Sequence, residues 1–178
     1  MRLANILVVC VAVLLASCSV SVSEYTNNKP EFTLENFFQG RLTAHGIVKN
    51  RSGKVIRYFN ATIDASWDEQ GVGTLDEHFL FDDGEKQQRV WTLKPGDARQ
   101  HTGTAGDVIG AANINAAGNA VFLTYVLRIP YNDDTLDITV DDRMYRVSDN
   151  IVLNESKLLK LGVEVGSIVL VIQRAPNT

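Results

Sequence analysis

The groups in this chain that could do chemistry are three histidines, a scatter of carboxylates, one glycine-rich segment, and an arginine two residues from a tryptophan. His45, His78 and His101 are the only histidines; none belongs to a His-Glu-x-x-His pair or has a second histidine at ligand spacing. Separate surface or turn histidines are the simpler reading, so no metal centre is expected. There is no Gly-x-Ser-x-Gly elbow, and no serine has an evident histidine companion, so nucleophilic acyl transfer has no motif behind it. Glu77, Asp82, Asp83 and Glu85 supply carboxylates for acid–base work. Paired acids do such work only where their environments split their pKa values, and Asp82-Asp83-Gly84 reads first as a hairpin turn.

Gly103-Thr104-Ala105-Gly106-Asp107 invites a phosphate-loop reading, but it lacks the Lys-Ser/Thr ending and does not lead into a long helix. Glycines that allow a bulge in a curved sheet explain it better, with Asp107 capping a turn or accepting backbone N–H bonds. Asp133, Asp134, Asp137, Asp141 and Asp142 form the most acidic stretch. Their spacing misses the calcium-loop pattern and suits a solvated rim of turns. No catalytic residue, metal or cofactor is expected. Arg89 and Trp91 alternate onto one strand face, and an inward face would set an anion contact beside an aromatic wall. Phe59, Trp67, Phe79, Phe81, Phe122 and Tyr125 are the candidates to line the same interior with them. The plainer alternative is an aromatic core, with Arg89 paired to an acid at a barrel mouth.

These residues must be positioned by strands. From Val55 to Trp67 every second residue (Phe59, Ala61, Ile63, Ala65 among them) is mostly apolar and the partners mostly polar, a period of two that argues for a half-buried strand. Similar runs cover 41–48, 74–81, 86–93, 120–129, 136–140, 144–147 and 167–172, with a weaker one over 99–109, broken by Gly, Asn and Asp. Phe32, Leu34, Phe37 and Phe38 suggest a short helical turn or first strand covering a core opening. Only Asn154–Leu161 carries a helical spacing, with a loop or a single turn as the alternatives. Eight to ten strands joined by short turns favour an all-β antiparallel meander, and closure into a lipocalin-like (calycin-like) barrel hides its edges. A two-sheet β-sandwich is the alternative.

The first residues set the expected address. A lone Arg2 precedes an apolar run from Ile6 to Leu15, and Leu15-Ala16-Ser17-Cys18 follows. The run is too short to span a bilayer, which takes about 20 apolar residues, and it has the layout of an export signal. The four residues around the cut resemble a bacterial lipobox. That resemblance implies a signal over 1–17, acyl chains on Cys18, a lipidated tether over 18–29 and a barrel domain over 30–175. Cys10 would leave with the signal, so no disulfide is expected. Removing Arg2 leaves 16 basic against 21 acidic residues with no basic tract, which argues against nucleic acid as a partner. Ser19, rather than Asp, follows the cysteine, and by resemblance to enterobacterial sorting this points to the outer membrane, facing the periplasm.

Several segments together resemble a family of uncharacterised proteobacterial lipoproteins known only as a domain of unknown function. They are Phe37-Phe38-Gln39-Gly40, Asp83-Gly84-Glu85 leading to Arg89-Val90-Trp91, Gly103 to Gly110, Gly118-Asn119-Ala120, Asp141 to Tyr145 and Lys160 to Gly166. The likeness runs from Phe32 to Gln173 and departs from the family at Arg143, where a Trp follows the paired aspartates. It implies lipoprotein status and no activity. The reading is a non-enzymatic, membrane-anchored barrel that binds a lipid or other small amphipathic molecule. The alternatives are an envelope scaffold acting through its outer surface and an enzyme acting on envelope lipid or glycan. The enzyme reading needs two or more of His45, His78, His101, Glu77 and Asp107 within hydrogen-bond reach in a cleft.

Overall fold

In the computed structural model, which describes residues 20–97 and 99–174, the period-two runs become strands and each pairs antiparallel with the next. They are β1 (Gly40–Asn50), β2 (Val55–Trp67), β3 (Gly73–Phe81), β4 (Lys86–Pro95), β5 (Gln100–Thr104), β6 (Val108–Ala117), β7 (Ala120–Tyr131), β8 (Asp134–Arg146), β9 (Ile151–Lys160) and β10 (Val163–Arg174). β10 returns to pair with β1, Leu42 opposite Arg174 and Asn50 opposite Gly166, so the ten-stranded meander closes into a barrel without edges. The sandwich alternative is excluded by that closure.

Alternation decides the two faces. On β2, Phe59, Ala61, Ile63 and Ala65 are buried while Asn60, Asp64 and Ser66 are exposed. The inside is apolar and the outside largely polar, the reverse of a barrel whose outer band meets lipid. No helix among the described residues is long and apolar enough to cross a membrane.

Three sequence expectations change. Asn154–Leu161 lies in strand β9 except for its last residue, because Val152, Asn154 and Ser156 alternate inward; Leu158 belongs to the same row and only mimicked a helical spacing. The weak run over 99–109 is two strands, β5 and β6, with the turn at Gly106-Asp107. The two runs 136–140 and 144–147 are one long strand, β8.

The chain before β1 closes one end of the barrel. A helical turn, α1 (Leu34–Phe37), carries Phe32, Leu34, Phe37 and Phe38 into the interior, each no more than 3% exposed. Its terminal carbonyls would otherwise be orphaned in an apolar setting. Arg174 donates to the carbonyls of Phe37 (3.0 Å) and Asn36, and the Trp67 indole N–H donates to that of Phe38 at 2.6 Å. Arg99 donates to the Phe32 carbonyl (2.9 Å) and Arg146 to that of Glu31 (2.6 Å).

Residues 20–29, expected as a free tether, pack against the barrel wall instead. Val22–Tyr25 forms a 3-10 turn with a capping box between Ser21 and Glu24. Tyr25 then stacks edge-on against Phe122 (5.7 Å) and lies 5.4 Å from Tyr145. The expected signal over 1–17 and the expected lipidation residue Cys18 lie outside the described residues.

Candidate ligand cavity

Above the plug the barrel is hollow. The cavity measures about 1050 Å³, with Leu34 and Phe38 at its floor and the β1–β2, β3–β4 and β7–β8 hairpins around its mouth. Small inward residues leave the space: Ala44 faces Ala61 across β1 and β2. At Gly46 a Cβ would meet the Phe59 ring at 2.3 Å, so the glycine lets that ring lie across β1.

Six of the eight residues expected to line an interior do so: Phe59, Phe79, Phe81, Arg89, Trp91 and Tyr125. Phe59 packs against Phe79 (5.7 Å) and Phe81 (5.8 Å), and Trp91 meets Tyr125 edge-on at 5.3 Å. The other two stand elsewhere. Trp67 shares the inward face of β2 but sits at the sealed end, against Gly73 and the plug rather than the cavity. Phe122 points outward. It is three residues from Tyr125 on one strand, so the period of two puts them on opposite faces, and Tyr25, Tyr145 and Arg143 cover it.

A polar belt crosses the apolar wall at mid-strand positions. Arg89 on β4 holds Asp107 with both forks: Nε donates at 3.0 and 2.9 Å and Nη2 at 2.7 Å. Burial opposes the Arg89 charge, but the Asp107 hydrogen bonds and the fields of Tyr125 and Glu77 outweigh it, so its pKa is raised. Asp107 was expected to hold backbone N–H groups at a turn; it pairs with Arg89 because the β5–β6 turn brings it over that side chain. The plainer sequence alternative for Arg89, a pair with an acid, is thus the arrangement found.

Glu77 faces Arg89 across the β3–β4 ladder. Its pKa is pushed up to about 7, first by burial and then by Asp142 and Asp107, against the lowering field of Arg89 and the hydrogen-bonding indole of Trp91. Burial likewise raises the Asp142 carboxyl, with partial compensation from Asn154 and from Ser156, whose hydroxyl donates at 3.0 Å. The Tyr125 hydroxyl is raised by burial and by the surrounding acids. Asp142, Asn154 and Ser156 were missed as cavity residues. The signal for Asp142 was its parity with Ile138, Val140 and Met144; that of Asn154 and Ser156 was masked by the helical reading of their segment.

At the mouth, the Arg57 guanidinium lies 3.6 Å from the Phe81 ring centroid and pairs with Asp83 (2.8 Å) and Glu85. The histidines do not converge. His45 faces outward with Nδ1 2.7 Å from Asn60, His78 faces outward 3.2 Å from Asp76, and His101 is buried at the sealed end 2.7 Å from Glu35. Of the enzyme candidates only Glu77 and Asp107 share the cavity. Among the described residues no group of three or more His, Cys, Asp or Glu side chains is arranged to hold a metal ion. The acidic stretch splits by parity, with Asp137 paired to Arg128, Asp141 to Arg143, and Asp142 inside.

The whole barrel, arm and strands together, falls within residues 12–174, which match a family of proteins of unknown function, DUF3833. This chain belongs to that family. A comparison with curated proteins finds no match. Among solved structures, the S-type phycobiliprotein lyase CPES of Guillardia theta superposes with a TM-score of 0.51 at 12% identity, over 83% of this chain and 95% of that one. A protein of unknown function from the DUF3598 family, from Nostoc punctiforme, superposes with a TM-score of 0.55 at 11% identity, over 89% of this chain and 53% of the other. At such identities the likeness is one of fold, and the fold is that of lipocalin-like barrels.

Proposed function

We propose that this DUF3833 member is a lipid-anchored binding protein that holds a small amphipathic molecule, a lipid or a compound of similar build, inside its barrel. The observation that carries the reading is the cavity itself. A volume of about 1050 Å³, apolar at its base and crossed by a few fixed polar groups, has the size and make-up of small-molecule sites. Two observations support a non-enzymatic role: the histidines stand apart, and Glu77 and Asp107, which share the cavity, make no hydrogen bond to each other among the described residues. Acyl chains on Cys18 are the proposed membrane attachment, and the periplasmic face of the outer membrane is the proposed address, both resting on the Leu15-Ala16-Ser17-Cys18 segment and on Ser19.

The test is native mass spectrometry of the membrane-extracted protein, followed by organic extraction and identification of what leaves with it. One compound class at a stoichiometry near one supports the reading. A bare protein mass, with no uptake from an envelope lipid extract, sinks it. A Cys18→Ala variant should remain an unprocessed precursor; normal maturation without lipid would remove the anchor from the proposal.

The scaffold alternative has one observation in its favour. On the outer wall Ile47 lies between Tyr58 on β2 and Val169 on β10, with Leu80 and Leu153 on flanking strands, and four of these five are more than 40% exposed. Crosslinking from Tyr58 in intact cells would reveal a partner held there.

A further inference from the structure

The charges inside the cavity do not add up to a site for an anion. Every guanidinium on its wall is already committed: Arg57 to Asp83 and Glu85, Arg89 to Asp107, and Arg128 to Asp137. Two inward carboxyls, Glu77 and Asp142, have no ion-pair partner among the described residues. Asn154 and Ser156 both donate to Oδ1 of Asp142, and no bond is made to its Oδ2. Tyr125 is only 9% exposed, lines the cavity, and makes no hydrogen bond among the described residues. A phenol so deeply placed ordinarily has a partner.

We propose, on the footing of the cavity-binding reading above, that the cargo presents a cationic or neutral hydrogen-bond-donating group to Glu77, Asp142 and Tyr125, and that the cavity rejects amphiphiles with a carboxylate or phosphate head. At mid-barrel the open positions are a carboxyl, a second carboxyl with one free oxygen, and a phenol; the unpartnered donor on the wall, Arg57 Nε, stands at the mouth beside Asp83 and Glu85. An ammonium supplies three donors, one for each mid-barrel position; a hydroxyl supplies one donor to a carboxyl and can accept from the Tyr125 phenol. A carboxylate brought to the same place adds a like charge beside two acids in a partly dehydrated space, where Coulomb repulsion is far less screened than in bulk water. Arg89 retains N–H groups beyond those given to Asp107, but its charge is already balanced by that pair. An anion would have to outbid Asp107 for it.

The position of these groups also shapes the cargo. Glu77, Tyr125, Asp142 and Asn154 sit at the middle of their strands, with apolar Leu34 and Phe38 beneath and Phe59 and Phe81 toward the mouth. The matching molecule has its donor group flanked by apolar parts on both sides, or a short apolar end below the donor and a longer one above.

The test uses the full-length protein in zwitterionic nanodiscs, with empty discs as the blank. Displacement of the uncharged dye N-phenylnaphthylamine is compared for dodecylammonium, dodecanol and dodecanoate at pH 8. The ammonium and the alcohol should each bind at least tenfold more tightly than the carboxylate. A Glu77→Gln, Asp142→Asn double variant, shown to be folded by circular dichroism, should lose most of that preference while still binding the dye. Equal or tighter binding of dodecanoate to the parent protein overturns the inference and leaves the cavity-binding reading standing. Failure of the dye and all three amphiphiles to bind overturns both.

Discussion

At the residue scale the informative group is Glu77. Its carboxyl, raised from 4.5 to about 7, is faced by Arg89 and Trp91 on β4, Asp107 at the β5–β6 turn, Tyr125 on β7 and Asp142 on β8. A folded-state pKa above the unfolded one means the native protein keeps a proton that the unfolded chain has released. Stability therefore falls as pH rises from about 4.5 to about 7 and levels off above. We predict that Glu77→Gln removes this slope. The variant should gain roughly 2 kcal/mol over the parent at pH 8 and almost nothing at pH 4, the figure being kept below the full linkage value because the carboxyl borders a wet cavity. Urea midpoints across that range decide it; parallel curves for the two proteins would show that Glu77 ionises without penalty. Legibility at this scale was uneven. Arg89 and Trp91 announced themselves by type and alternation. Asp142 did not, because an aspartate in an acidic run looks like solvent-facing decoration until the parity of its neighbours is followed.

At the element scale the N-terminal arm is the least expected part. Residues 20–29 are short, polar and nearly free of large apolar side chains, which is the composition of a linker. They are held by a socket that composition does not reveal, in which Gly118 is the key. Its φ of 52° suits glycine, and a Cβ there would fall 1.7 Å from the Tyr25 carbonyl oxygen. Phe32 N–H also donates to the Gly118 carbonyl at 2.8 Å. We expect Gly118→Ala to release the arm before it unfolds the barrel. Limited proteolysis should cut within residues 20–30 while far-UV circular dichroism stays that of a β protein. Simultaneous loss of both would mean that arm and barrel are one cooperative unit. The plug itself should be costlier to disturb: Phe37, fully buried among Phe32 and Phe38, should lose about 3–4 kcal/mol on replacement by Ala, measured by denaturant unfolding. The helix expected over Asn154–Leu161 failed for a related reason. Spacing of two leucines by three cannot outvote a neighbouring row that alternates, once the adjacent strands offer it a ladder.

At the scale of the whole molecule, meander order and a count of eight to ten strands followed from alternation and turn chemistry, because each strand is local to the next. Closure rests on the distant β1–β10 pairing, which alternation left open against a sandwich. The hollow was not legible. Whether inward side chains fill a barrel or line it depends on the sum of small residues such as Ala44, Gly46 and Ala61 across strands distant in sequence. That sum can be altered. Ala61→Phe grows a side chain into empty space, so overpacking should cost no more than about 1 kcal/mol, while dye binding should weaken at least tenfold. Unchanged binding would locate the dye outside the barrel.

The seal at the base carries a consequence in time. Phe32, Phe37 and Phe38 leave the ribosome early, yet the groups that hold them arrive late: Gly118, Arg146 and finally Arg174, at the end of the last strand. β1 waits just as long for β10. Until almost the whole chain has been delivered, the three aromatic rings of the base have no pocket and the first strand has one bare edge. Vectorial synthesis thus presents its stickiest segment first and its receptor last, the order most dependent on an escort during transit.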